Sequence, residues 1–164
     1  MLFRSDFMIN FPSDVTIFFN PYCLFLKTET IDKAISYFIE NNLDSLCASR
    51  VAQTLCFINN KPINFSFDIA QPRTQDLEPI HCQTCAFFIW KTETFKNEYE
   101  KNSAGNFCGK FESYGLSTLE SIDIDTEEDY LIAESLLTAK KDKFNFTYHK
   151  DVDKLIKDGI IKTN

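Results

Sequence analysis

The sequence predicts an α/β fold built on a parallel sheet, and three observations carry that prediction. An apolar segment, Val15–Phe19, is followed by a stripe of helical period and then by a second short apolar segment at residues 45–48. A strand, helix, strand order of this kind closes as a βαβ unit with parallel strands. A later apolar run, residues 119–124, leads directly into a capped helix signal at Thr126.

Taken in order, Val15-Thr16-Ile17-Phe18-Phe19 reads as a buried strand that Asn20-Pro21 ends. Residues 22–29 read as a loop. Thr30 is the predicted cap of a helix running from Ile31 to about Asn41, because Ile31, Ala34, Ile35, Phe38 and Ile39 form one stripe. Asn41-Asn42 closes it. Residues 53–58 and 63–67 flank Asn59-Asn60-Lys61-Pro62, a hairpin signal. Residues 71–79 form a polar loop between Pro72 and Pro79. Residues 86–90 read as a strand, 92–99 as a short helix and 102–109 as a loop. The late strand, 119–124, precedes a helix from Thr126 to about Leu137, with acidic residues in its first turn. Residues 140–143 are a solvated charge run. A last short helix, 151–158, stops at Gly159.

Composition narrows the function classes. The chain has 164 residues and a formal net charge of −7, with 44% hydrophobic and 25% charged residues. That length supports one domain with a sizeable core. The acidic balance argues against nucleic-acid binding, which calls for a basic face. No export signal and no spanning apolar segment are present, so a cytoplasmic location and no membrane partner are expected. The six cysteines are then read as reduced thiols. Cys82 and Cys85 sit on a predicted strand, where positions three apart face opposite ways, so they do not form a zinc or redox pair.

Asp123 and Asp125 are the sharpest chemical feature. On a strand they share a face, and two carboxylates at a strand's carboxyl end make a hard oxygen site suited to Mg²⁺. On spacing alone, an equal alternative is that Asp125 caps the helix while Asp123 meets solvent. Arg73, one of three arginines, lies in a loop held by prolines and suits carboxylate or phosphate recognition. A surface ion pair with Asp76 is the simpler reading of Arg73 taken alone. His81 and His149 have no sequence-adjacent partner that marks a hydrolase, and His81 reads as structural. No catalytic residue is singled out.

Four blocks in order carry a family resemblance: residues 19–25 (FNPYCLF), 29–35 (ETIDKAI), 73–77 (RTQDL) and 121–134 (SIDIDTEEDYLIAE). Together they resemble the cytidylyltransferases that activate acidic sugars, the acylneuraminate cytidylyltransferases (CMP-sialic acid synthetases), over roughly residues 15–137. The resemblance implies a Rossmann-like nucleotidyltransferase fold of three α/β/α layers with a β-hairpin insertion. It implies transfer of CMP from CTP to an acidic sugar or related acid, with release of pyrophosphate and with Mg²⁺ as cofactor. Asp123 and Asp125 match the metal-binding aspartates, Arg73 and Gln75 match the loop facing the acceptor, and Asn20 stands near nucleotide and sugar. Dimers are common in this family, with the hairpin region helping to form the contact.

The chain departs from the family pattern in defined places. Its four glycines are Gly105, Gly109, Gly115 and Gly159, so the first 104 residues hold no Gly-rich loop to cradle the CTP phosphates. The expectation is a single, N-terminally truncated partial domain over 1–164, with 138–164 as an extension. Its partners are CTP and a small acid, with a second copy or an N-terminal half supplied in trans. The alternative is an inactive remnant or a partner-binding module. Tyr22, Leu24 and Thr84-Cys85 replace residues usual in the sialic-acid enzymes and indicate a divergent acceptor.

Overall fold

The computed structural model describes residues 6–8, 10–139, 154, 155, 157 and 158. The charge run at 140–143 lies outside the described residues, as does most of the terminal helix segment, of which Lys154, Leu155 and Lys157 are helical.

A four-stranded sheet organises the chain. Its strands are β1 (Val15–Phe19), β2 (Ser45–Ala52), β5 (Ile80–Lys91) and β6 (Phe111–Leu116), in the order β1-β5-β2-β6. β2 and β6 are parallel, whereas β5 runs antiparallel to both β1 and β2. The fold is mixed α/β, and the wholly parallel sheet expected from the strand, helix, strand order is corrected by β5. That strand inserts between β1 and β2, which point the same way without touching.

Two cores form because β5 is covered on both faces, as its continuous apolar run Ala86 to Trp90 demands. On one face Phe87 and Ile89 pack with Leu46, Ala48, Leu43 and Leu116 beneath Ala34 and Phe38 of helix α1 (Thr28–Glu40). On the other, Phe88 and Trp90 pack with Met8, Cys47, Cys108 and Phe95 of helix α2 (Thr92–Asn102). The Phe88 and Trp90 rings stack at 5.2 Å, and the indole Nε1 donates to the Asn106 carbonyl at 3.0 Å.

Helix α1 begins three residues earlier than its stripe suggests, capped at Lys27, and Thr30 is not its cap. Ile39, counted in the stripe, is 65% exposed. The Asn41-Asn42 stop is a Schellman closure: Asn42 is left-handed at φ 47°, and Leu43 N–H bonds the Phe38 carbonyl at 3.1 Å. The hairpin is shorter than expected. β3 (Phe57–Ile58) and β4 (Lys61–Pro62) are joined by Asn59 and Asn60, both at positive φ as a tight primed turn requires.

The expected strand at 119–124 is absent. The Ser117 hydroxyl accepts the Glu120 N–H at 3.3 Å, and Ser121 N–H returns to the Ser117 carbonyl at 3.0 Å, so the chain turns there. The strand that pairs with β2 lies upstream, as β6. Asp123 and Asp125 therefore sit on an irregular segment rather than sharing a strand face.

Candidate functional site

β1 ends at Asn20, whose N–H bonds the Ala86 carbonyl of β5 at 3.0 Å. The Asn20 side chain then bridges two segments. Its Oδ1 accepts the Tyr22 N–H at 3.1 Å, closing an Asx turn across Pro21, and its Nδ2 donates to Asp123 Oδ1 and Oδ2 at 3.0 and 3.3 Å. This amide fixes the carboxylate of a residue 103 positions away at the carboxyl end of β1. Ligands of open α/β sheets gather at that edge.

Asp123 is half-buried, and burial and the neighbouring Asp125 charge push its carboxyl up from the ordinary value, outweighing hydrogen bonds from Cys23 and the Ile124 N–H. Cys23 is buried beside it. Burial first, then the Asp123 carboxylate, push the thiol up to about 12, so it is an inert thiol and not a nucleophile. Helix α3 (Glu127–Ala139) follows through a capping box. Asp129 N–H donates to Thr126 Oγ1 at 3.2 Å, and Asp129 Oδ2 accepts from Thr126 N–H at 2.9 Å and from its hydroxyl at 2.7 Å. Thr126 is the cap, as the sequence indicates. Asp125 stays exposed, its own N–H 3.3 Å from Asp129 Oδ2.

Asp123, with the Asp125 charge close enough to raise its cost of ionisation, is fitting chemistry for a hard divalent cation. No cluster of three or more His, Cys, Asp or Glu among the described residues could hold a metal ion.

Arg73 and Gln75 are elsewhere in the bonding pattern. Arg73 is exposed and makes a two-point ion pair with Asp76, at 2.8 and 3.2 Å, across the 3₁₀ turn Thr74–Asp76. Gln75 contributes its carbonyl to Gln53, whose amide also ties the Leu77 carbonyl at 2.8 Å. Among the described residues no hydrogen bond joins this loop to Asn20 or the aspartate pair.

Three features escape the sequence reading. Glu120 is buried and accepts from Thr30 and Ser117 hydroxyls and the Lys27 N–H, bolting the 117–121 turn to the start of α1. β5 bulges in mid-strand: the step from Cys47 to Ser49 on β2 faces Phe88 to Gln83 on β5, and the exposed Cys85 lies within the bulged stretch. His81 on β5 meets Ser49 and Ser113 from β2 and β6. Only the serines' places on predicted or missed strands could have signalled that convergence.

No family model matches the sequence, and no curated protein matches it. Among solved structures, the chain is similar to 4-diphosphocytidyl-2C-methyl-D-erythritol synthase from Anaerococcus prevotii, with a TM-score of 0.55 and 14% identity. The two chains share an α/β fold. The match covers 81% of this chain and 64% of that one. At this identity the likeness concerns the fold alone and does not select the acylneuraminate enzymes. Among the described residues no helix is long and apolar enough to cross a membrane.

Proposed function

We propose that this chain belongs to a CTP-dependent cytidylyltransferase that transfers CMP to an acidic sugar or related small acid. The observation that supports this most is the Asn20–Asp123–Asp125 constellation at the carboxyl end of β1, on a cytidylyltransferase-like fold. In the reaction an acceptor hydroxyl loses its proton to solvent as its oxygen bonds the α-phosphorus of CTP, the bond from that phosphorus to the oxygen bridging to the β-phosphate breaks, and pyrophosphate leaves with that oxygen. Asp123 and Asp125 would hold Mg²⁺, which supplies charge compensation for the triphosphate. Asn20 aims the Asp123 carboxylate, and the Asp129 carboxylate of the capping box holds the Asp125 backbone N–H just ahead of α3. Arg73 and Gln75 belong to the acceptor side in this reading, Arg73 exchanging Asp76 for the acceptor's acid group.

The chain spans 64% of the length of its structural neighbour, and its first 104 residues contain no glycine for a phosphate loop. In this reading the triphosphate grip comes from a polypeptide segment other than these 164 residues. A partner-binding role is favoured by one observation: β1, with the sequence VTIFF, is a terminal strand of the sheet formed by the described residues and carries no lysine or proline.

The test is pyrophosphate release from CTP and N-acetylneuraminate with Mg²⁺. The chain alone should show little or none. Addition of an N-terminal cytidylyltransferase half should restore it, and Asp125→Asn should then lower it about a hundredfold. Full turnover by the isolated chain that survives Asp125→Asn would refute the assignment of these residues.

A further inference from the structure

His81 sits near the start of β5, with its ring Nδ1 turned onto two hydroxyls. Ser49 Oγ, fully buried on β2, lies 3.0 Å away, and Ser113 Oγ on β6 lies 2.9 Å away. Ser49 Oγ is also 3.3 Å from the Tyr114 carbonyl. A carbonyl oxygen can only accept, so the single Ser49 hydrogen is directed to it. Ser49 then faces Nδ1 with lone pairs alone. If Nδ1 were also a lone pair, two hydroxyls would compete for one acceptor and a buried contact would be repulsive. All three contacts are attractive only when Nδ1 carries the hydrogen and shares it between the two serines.

The consequence lies across the ring. In the neutral imidazole Nε2 is then a bare acceptor, held in one orientation on an exposed residue, with no hydrogen-bond partner among the described residues. A lone pair repels anions and seeks a donor. No group of three described His, Cys, Asp or Glu side chains provides a metal cage. A serine-nucleophile dyad is the wrong way round, because the hydroxyls meet the donor nitrogen. We propose that His81 Nε2 accepts a hydrogen bond from a hydroxyl of the acceptor sugar, an assignment that rests on the cytidylyl-transfer reading for which substrate arrives. His81 precedes Ala86, whose carbonyl accepts the Asn20 N–H, by five positions on β5. It is therefore a recognition residue for a hydroxyl away from the aspartates and not a group at the reacting phosphorus.

The test is two-bond ¹H–¹⁵N NMR on the chain with ¹⁵N-labelled histidine. His81 should show the neutral Nδ1–H pattern, and Ser49→Ala with Ser113→Ala should release it to the Nε2–H form that free imidazoles favour. On titration with N-acetylneuraminate, and separately with 2-C-methyl-D-erythritol 4-phosphate, the Nε2 resonance should move saturably for at least one. His81→Phe should weaken that binding at least fivefold. An Nε2–H tautomer in the unmodified chain, or an unmoved Nε2 with both probes, overturns the proposal. Neither readout needs CTP. A saturable Nε2 shift without any CTP-dependent turnover, even with the N-terminal half added, would keep the hydroxyl site and remove the cytidylyl-transfer reading.

Discussion

Two carboxylates three residues apart, Glu120 and Asp123, are treated in opposite ways by the same loop. Both are withdrawn from water and both bridge distant segments. Burial pushes the Glu120 carboxyl up, but bonds from Ser117, Thr30 and the Lys27 N–H outweigh it and leave it below the ordinary value. Burial and the Asp125 charge hold the Asp123 carboxyl above it, despite the Cys23 thiol and the Ile124 N–H. The ionised form of Glu120 is stabilised by the fold, whereas the ionised form of Asp123 is a cost that a cation would offset. The difference separates a carboxylate that builds structure from one that the structure leaves in want of a positive charge.

The comparison can be broken most severely at Glu120. Glu120→Ala leaves the Thr30 and Ser117 hydroxyls and the Lys27 N–H without their acceptor, so stability should fall by about 2–3 kcal/mol in urea denaturation. Loss of less than about 0.5 kcal/mol would mean the turn is held by something else. Acid should reproduce part of this effect. A lowered carboxyl contributes stability above its ordinary value of 4.5, and that contribution is lost as pH falls through the folded value below it. Thr126→Ala comes next, at about 1 kcal/mol, because it removes the acceptor for the Asp129 N–H and the hydroxyl donor to the Asp129 carboxylate at the start of α3. The Asp129 carboxyl, held low chiefly by the Thr126 hydroxyl, should rise toward its ordinary value in the same variant, read by NMR titration.

Local signals were legible and convergent ones were not. The VTIFF strand, the α1 stripe with its Asn41-Asn42 stop, the Asn-Asn turn and the Thr126 cap follow from rules that act within a few residues. β6 was missed because Phe111 to Leu116 mixes Glu112, Ser113 and Gly115 with its apolar residues. It is a strand because β2 offers an edge, which no short window contains. The apolar run at 119–124 invited a strand, but Ser117 and Glu120 bend it, and Glu120 bends it because α1 supplies the partners. β5 looked five residues long because its polar first half, His81 to Cys85, becomes strand only against β2. For the site, the aspartates and Asn20 were legible as types at positions. Their meeting across 103 residues, and that of His81 with Ser49 and Ser113, depend on the topology.

The smallest effect is the most discriminating because its sign is inverted. A carboxyl raised in the folded state contributes stability below its ordinary value of 3.8, and that contribution is lost as pH rises through the folded value. Asp123→Asn should therefore leave the protein as stable at pH 7 without divalent cations, or more stable by less than about 1 kcal/mol, since Asn20 keeps an acceptor and Asp125 loses a like charge. Addition of Mg²⁺ should then reverse the ranking, raising the Tm of the unmodified chain while leaving the variant unmoved. If Asp123→Asn instead destabilises at pH 7 by as much as Glu120→Ala, both carboxylates are structural and the cation assignment at Asp123 and Asp125 falls. If Mg²⁺ raises both Tm values equally, the ion binds elsewhere on an acidic surface and the same assignment falls.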